Sequence, residues 1–294
     1  MTTAIGVLCA RVRVEEKQII TALGDAGAVA MPVPPAGLPL PPCPAPQDVA
    51  ALGTDRELAH AGNIAPAVII DRAANRAVAT AMLSLLKRAR IETLDAGLAA
   101  TGSRLDIASA LSAAGLPRPA SLIAFSEATG TGAAASMGFP ATLLPMTPGS
   151  APTTLLDGDT ADAVIEHRIV LGSQSEAVVL IQAGAPSAAE LTRLHLVDGD
   201  VRAFEGAAPS ARAIDIARRA AAVLGADVVT IDIAFPDGAC VIWDVLPVAD
   251  FRQGTSLGAI SIGEALATLA MKRAGRQSRA SGWEEGSHVI ALTA

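Results

Sequence analysis

Two aspartates standing inside apolar strands constrain this chain more than anything else in it. Asp232 interrupts the run from Val228 to Ala234, and Asp244 separates Ile242-Trp243 from Val245-Leu246. Between the two runs lies Pro236-Asp237-Gly238, a turn signal that predicts a hairpin. Pairing through that turn puts residues 232 and 244 nearly opposite one another, close enough to share one cation. Burying an unpaired carboxylate is costly, so each demands a partner. Magnesium is one solution, because it takes one or two carboxylates and completes its octahedron with water and phosphate. Arginines at the end of the sheet are the other.

Around that hairpin, strand and helix signals alternate. Residues 4–9 read as a strand, 14–26 as a helix stopped by Gly27, and 28–31 as a second strand. Prolines crowd residues 32–46 and forbid helix or central strand there. A strand at 67–70, a helix at 75–90 and a strand at 91–94 complete a small doubly wound domain. A helix at 104–114 and the segment Gly115-Leu116-Pro117-Arg118-Pro119 mark a junction. Beyond it come strands near 121–125, 139–146, 177–182 and 194–197 and helices near 159–171, 211–224 and 260–272. The expected class is therefore α/β, with an N-terminal domain over 1–97, a central one over 98–175, a C-terminal antiparallel-sheet one over 176–280 and a tail over 281–294.

Composition limits what such a chain can do. Hydrophobic residues make up 51% of 294 positions but aromatic ones only 2%, with no tyrosine, so aliphatic layers must form the core. A net charge of -7 without a lysine or arginine block, and the scarcity of stacking rings, exclude a nucleic-acid partner. Cys9, Cys43 and Cys240 fit no zinc or redox spacing and read as reduced, buried thiols. No apolar run reaches the roughly 18 to 20 residues of a membrane span and the start lacks a signal pattern, so no membrane and a cytoplasmic location are expected.

Three further motifs carry competing readings. Gly149-Ser150 offers backbone N–H groups for phosphate, or an ordinary hairpin turn. Gly130-Thr131-Gly132-Ala133-Ala134-Ala135 satisfies the dinucleotide fingerprint after a strand and would make a nicotinamide-dependent oxidoreductase, although Gly138 and Pro140 cut the next helix short. Gly254-Thr255-Ser256-Leu257-Gly258 matches a hydrolase elbow without a clean strand before it. None of the four histidines, His60, His167, His195 and His288, has a partner at metal-ligand spacing, so surface or satisfied core positions are expected.

In their order and spacing these segments resemble the LysX/RimK branch of the ATP-grasp superfamily, from Ile5 to about Lys272. The junction at Gly115–Pro119 looks like "GxPxP", Glu166-His167-Arg168-Ile169-Val170-Leu171-Gly172 looks like "EHKEVLG", and Asp232-Ile233 with Trp243-Asp244-Val245 resembles the "VDL" and "NEVN" metal strands. The resemblance implies an ATP-grasp fold with a Rossmann-like N-terminal domain. It further implies a ligase in which ATP phosphorylates a carboxylate and an amine, often that of glutamate, attacks the acyl phosphate to form an amide. Asp232 and Asp244 would hold Mg2+, and Arg104 would replace the nucleotide-binding lysine of "GDK". Gly149 and Ser150 would be what is left of the "GSWGR" turn, Arg193 would match the arginine of "RDIR", and Arg252 the basic residue of "EFK". A small carboxylate and an amino acid are the implied partners, with a pterin-type one-carbon cofactor as a candidate acceptor, and relatives commonly form homo-oligomers.

The chain departs from that pattern at the nucleotide. Leu144 stands at the lysine of "LKP", Leu246 at the asparagine that completes the metal shell, the "GSWGR" turn is shortened to Gly149-Ser150-Ala151-Pro152, and Asp198-Gly199-Asp200 turns straight toward the next helix. Each lost charge contact in a phosphoryl-transfer site costs on the order of a hundredfold in rate. The two functional expectations are thus a working glutamate-type ligase, and a catalytically degenerate ATP-grasp protein that binds a cofactor or a partner.

Overall fold

The computed structural model of the chain describes residues 3–35, 40–45, 48, 65–97, 100, 102–172, 177–248, 250–252 and 254–289. The chain forms two compact units. One comprises Met1–Asp95, Asp250–Arg252 and Gly258–Ala294, and the other Ala96–Ala249 with Gln253–Leu257.

The first unit is a parallel sheet of β1 (Ala4–Leu8), β2 (Val29–Val33), β3 (Val68–Asp71) and β4 (Glu92–Leu94), in the order β2-β1-β3-β4. β1 is buried along its whole length, which is why it reads as an unbroken apolar run. Helices α1 (Val14–Asp25) and α2 (Arg76–Arg88) cross between strands. Asn75 caps α2 by accepting the Val78 N–H, and Leu83 and Leu86 drive its apolar stripe into Leu8, Val33 and Ile69. The C-terminal helix, Ile262–Val289, packs on α1 in this same unit and runs on past the 260–272 expected for it. Gly263 permits the approach, since a Cβ there would stand 3.3 Å from the Gln18 carbonyl oxygen. This helix therefore closes the N-terminal unit rather than the C-terminal sheet. Of the proline-rich stretch, residues 36–39 and 46 lie outside the described residues, as do 290–294 of the tail.

The second unit holds two antiparallel sheets. α3 (Arg104–Ala113) leads into a sheet of β5 (Ser121–Ala124), β6 (Ala141–Pro145), β7 (Thr153–Leu155) and β8 (Val179–Ala183), ordered β5-β8-β6-β7. Its helices are α4 (Glu127–Met137) and α5 (Gly158–Ile169). Because β8 pairs with both β5 and β6, this sheet continues past residue 175, where the sequence suggested a boundary. Gly130 lies inside α4, where a Cβ would meet Ile165 at 2.8 Å. Both glycines of the dinucleotide fingerprint thus lie within a helix, Gly130 serving its packing, and not in a phosphate turn, which removes the oxidoreductase reading.

The second sheet is β12-β11-β9-β10-β13, from β9 (Leu191–Val197), β10 (Asp200–Glu205), β11 (Val228–Ala234), β12 (Val241–Leu246) and β13 (Thr255–Ser256). α6 (Ala211–Leu224) covers one face with Ala213, Ile216, Ala217 and Ala220 against Leu194, Ile231, Ile233 and Ile242. Ser210 caps it and Gly225, in the left-handed region, ends it. Two expectations are corrected here. Asp198-Gly199 does not lead to a helix but closes a hairpin into β10, with both residues at positive φ. Ser256 is no nucleophile elbow, because Thr255-Ser256 is an edge strand paired with β10 and no helix starts before residue 262.

Candidate functional site

The hairpin register is the one the sequence predicts: Asp232 and Asp244 are cross-strand partners, with a bulge immediately after Asp232. They therefore share the sheet face opposite α6. Each carboxylate, however, is already engaged by its own arginine, which is the second of the two solutions open to a buried acid.

Asp244 meets Arg104. Ser103 caps α3 by accepting the Leu105 N–H, which sets Arg104 as the first helical residue, and the Arg104 main-chain N–H donates to Met146 O at 2.7 Å. From that fixed origin the guanidinium donates from Nε to Asp244 Oδ1 at 2.9 Å and from Nη2 to Oδ2 at 2.6 Å. Its other N–H groups donate to the carbonyls of Pro145 at 2.7 Å, Thr147 at 3.0 Å and Ser150 at 2.9 Å. Five N–H groups meet five acceptors, so the guanidinium is saturated. The side chain is 2% exposed.

Asp232 meets Arg193 of β9, its register partner on the other side. Nε donates to Oδ1 at 2.8 Å and Nη2 to Oδ2 at 2.9 Å. Burial pushes the Asp232 carboxyl above the usual carboxylate range, against the opposing pull of Arg193. Arg193, held above its ordinary value by Asp232, also lies 3.7 Å from Glu205. On the same strand His195 is a satisfied core histidine, with Nδ1 2.9 Å from Thr230 Oγ1 and Nε2 3.2 Å from Glu205 Oε1.

The turn at Gly149-Ser150 is wrong for phosphate. The Ser150 N–H donates to Thr147 O and its carbonyl faces Arg104, so the turn presents oxygens inward. Leu144 is buried and, with Arg104, Arg118, Trp243 and Asp244, lines a cavity of only about 10 Å³. That is about enough for a single water. Arg252 belongs to the other unit, where it pairs with Asp250 and, at 3.5 Å, with Glu15. Within the second unit the structure thus brings together Arg104, Asp244, Asp232, Arg193, Gly149 and Ser150, while Arg252 falls in the first.

A magnesium ion fits these residues poorly. Octahedral coordination at about 2.0 to 2.1 Å with several retained waters needs free carboxylate oxygens and space. Both acids spend their oxygens on guanidinium groups, and among the described residues no group of three or more His, Cys, Asp or Glu side chains is arranged to hold a metal. Sequence reasoning missed two members of the cluster. Glu205 falls opposite Arg193 across β9 and β10, which the Asp198-Gly199 turn signal would have revealed. Arg118 feels Asp244 although desolvation pulls its own pKa down, and its place in the junction gave no sign of this. Cys43, expected buried, is exposed, whereas Cys9 and Cys240 are buried as expected. Among the described residues no helix is long and apolar enough to cross a membrane.

No protein-family model and no curated protein matches the sequence. Solved structures do. A RimK-domain ATP-grasp protein from Sphaerobacter thermophilus is 25% identical over 92% of this chain and 100% of its own, with a TM-score of 0.73. The ATP-grasp ligase PsnB, solved with a minimal precursor, Mg and ADP, is 19% identical over 92% and 98%, with a TM-score of 0.64. The D-alanine-D-alanine ligase from Coxiella burnetii is 11% identical over 99% of both chains, with a TM-score of 0.66. The ligase-type architecture extends through nearly the whole molecule, and the chain belongs to the ATP-grasp superfamily.

Proposed function

We propose that this protein keeps the carboxylate-amine ligase architecture as a binding module, with internal arginine–aspartate pairs standing where a ligase of the RimK kind holds magnesium and nucleotide phosphate. One observation carries the reading: all five N–H groups of Arg104 are committed, two to Asp244 and three to carbonyls of the β6–β7 turn. A cation that bridges the acids must first break that set. Leu144 and Leu246 add no ligand in its place. The module would bind a small cofactor, a pterin-type one-carbon cofactor being one candidate, or a protein partner, as a homo-oligomer in the cytoplasm.

The test is a melting-temperature shift with Mg2+ and ATP or ADP. A ligand at a hundred times its dissociation constant adds about 2.7 kcal/mol, which is readily seen. This reading expects no shift. A second reading, a working glutamate-type ligase in which Arg193 and Arg252 serve catalysis, is favoured by the retained register of Asp232 and Asp244. It expects a shift that Asp232→Asn removes, and release of ADP when glutamate and candidate carboxylates, pterin-type acids included, are supplied.

A further inference from the structure

A strand at the margin of a sheet presents unpaired backbone groups to any chain that can match them. Among the described residues most margins of the three sheets are blunted. β2 carries Pro32, and β4 is three residues long with Glu92 held by Arg273 Nη1 at 2.8 Å. β7 is equally short and follows Pro152, β13 has two residues, and on β12 the Ile242 N–H already donates to Pro117 O at 2.9 Å. β5 differs. Ser121-Leu122-Ile123-Ala124 and the following Phe125 contain neither proline nor charge, and among the described residues no strand pairs with the outer side of β5.

The register says which groups that outer side presents. The Ala183 N–H donates to Ala120 O at 2.9 Å, and residues 120 and 183 lie opposite each other in the register that sets Ser121 against Gln182. Bonding alternates along an antiparallel pair, so residues 122 and 124 turn their N–H and C=O groups toward β8, while 121, 123 and 125 turn theirs away. Such a row is its own complement when reversed. A two-fold axis at Ile123 sets 123 opposite 123 and 121 opposite 125 of a second copy, and every outward N–H and C=O finds a partner. A slip one way brings in Pro119, which has no N–H, and a slip the other way meets α4 at Glu127.

Side chains and charge favour the same occupant. Ala124 is buried with Val179 and Ile181 under the helices of this sheet, and Leu122 shares that face at its margin, 43% exposed. Phe125 is 69% exposed. In the two-fold register Leu122 falls opposite Ala124 of the second copy, so both apolar faces continue across the join. The chain carries a net charge of -7, which makes two copies repel in general. A row of five neutral residues lets them meet without opposing like charges. We infer that β5 is a homodimer interface, through which two copies merge their four-stranded sheets into one of eight strands. The inference rests on the homo-oligomer part of the proposed function and is independent of what the module binds.

Sedimentation of the full chain from about 1 to 200 µM tests it, because pairing over five residues gives an interface at the small end of the specific range. A concentration-dependent monomer–dimer equilibrium is expected. Leu122→Lys puts two ammonium groups at the join and should weaken the dimer about tenfold or more, while melting like the dilute parent. Ile123→Cys, made together with Cys43→Ser, should form an interchain disulfide with diamide, since Cα atoms of a bonded antiparallel pair stand about 5.5 Å apart. Val78→Cys, at an exposed position of the other unit, should not. A monomer at every concentration, a dimer that Leu122→Lys leaves unweakened, or cross-linking of Val78→Cys without that of Ile123→Cys overturns the inference. The melt with Mg2+ and ATP, run on Leu122→Lys as on the parent, decides the binding-module reading separately.

Discussion

Arg104 and Asp244, 140 residues apart in the chain, close a two-point contact at 2.9 and 2.6 Å in which guanidinium and carboxylate lie fork to fork. Such pairs are stronger and more directional than single ion contacts. Here the pair also ties the start of α3 and the turn after β6 to the second strand of the hairpin. A cation is present between these elements, but it is covalently part of the protein.

Arg104→Met strands Asp244 and three carbonyls, and is expected to destabilise the protein by about 3 to 5 kcal/mol. Adding Asp244→Leu removes the orphaned charge and should recover a large part of that loss. Urea denaturation midpoints of the two single variants and the double one measure it. A loss below about 1 kcal/mol in Arg104→Met would show that the contact is no lock.

The second pair is asymmetric, because Arg193 is 35% exposed while Asp232 is 6% exposed. Arg193→Gln leaves a carboxylate in the protein interior, and should cost about 3 kcal/mol at neutral pH, more than Asp232→Asn. The folded pKa of Asp232 is raised, so the stability linked to its proton is full below the unfolded value and is lost as pH rises through the folded one. Without Arg193 that value climbs further. The penalty of Arg193→Gln therefore shrinks as the solution is acidified, whereas that of Asp232→Asn does not follow this course. Thermal melts across the acid range decide it.

The three thiols should separate cleanly. Cys43 is exposed, whereas burial pushes the Cys9 thiol up to about 11 and raises that of Cys240 as well. An aromatic disulfide reagent at mildly alkaline pH should label one thiol rapidly, and Cys43→Ser should remove that phase. For Cys9 the folded value lies above the ordinary 9.0 of a free thiol, so its contribution to stability is present below pH 9 and is lost between there and about 11.

Glycine is irreplaceable at residue 97 for a reason that residue 225 lacks. Both have positive φ, but a Cβ on Gly97 would fall 1.9 Å from the Leu224 carbonyl oxygen, whereas one on Gly225 meets nothing within 4 Å. Gly225→Ala should cost about 1 to 2 kcal/mol from backbone strain alone. Gly97→Ala adds a clash with main chain that cannot be relieved by a rotamer. Its melting temperature should fall well below that of Gly225→Ala.

Local patterning by itself determined the helices and most of the strands of this protein, β7, β10 and β13 excepted, and one long-range fact. The period of α6, the unbroken apolar β1 and the turn after Phe235 are short-range properties, and two strands joined by one turn have few registers. That is why Asp232 and Asp244 could be set opposite each other from residues alone, and why their need for partners was legible. What partnered them was not. Arg104 reaches Asp244 across 140 residues, and β10, hidden behind a two-residue turn, brought Glu205 to Arg193. Whether a buried carboxylate is neutralised by a bound ion or by a distant guanidinium depends on which side chains the fold brings within about 3 Å, and no local pattern carries that distance.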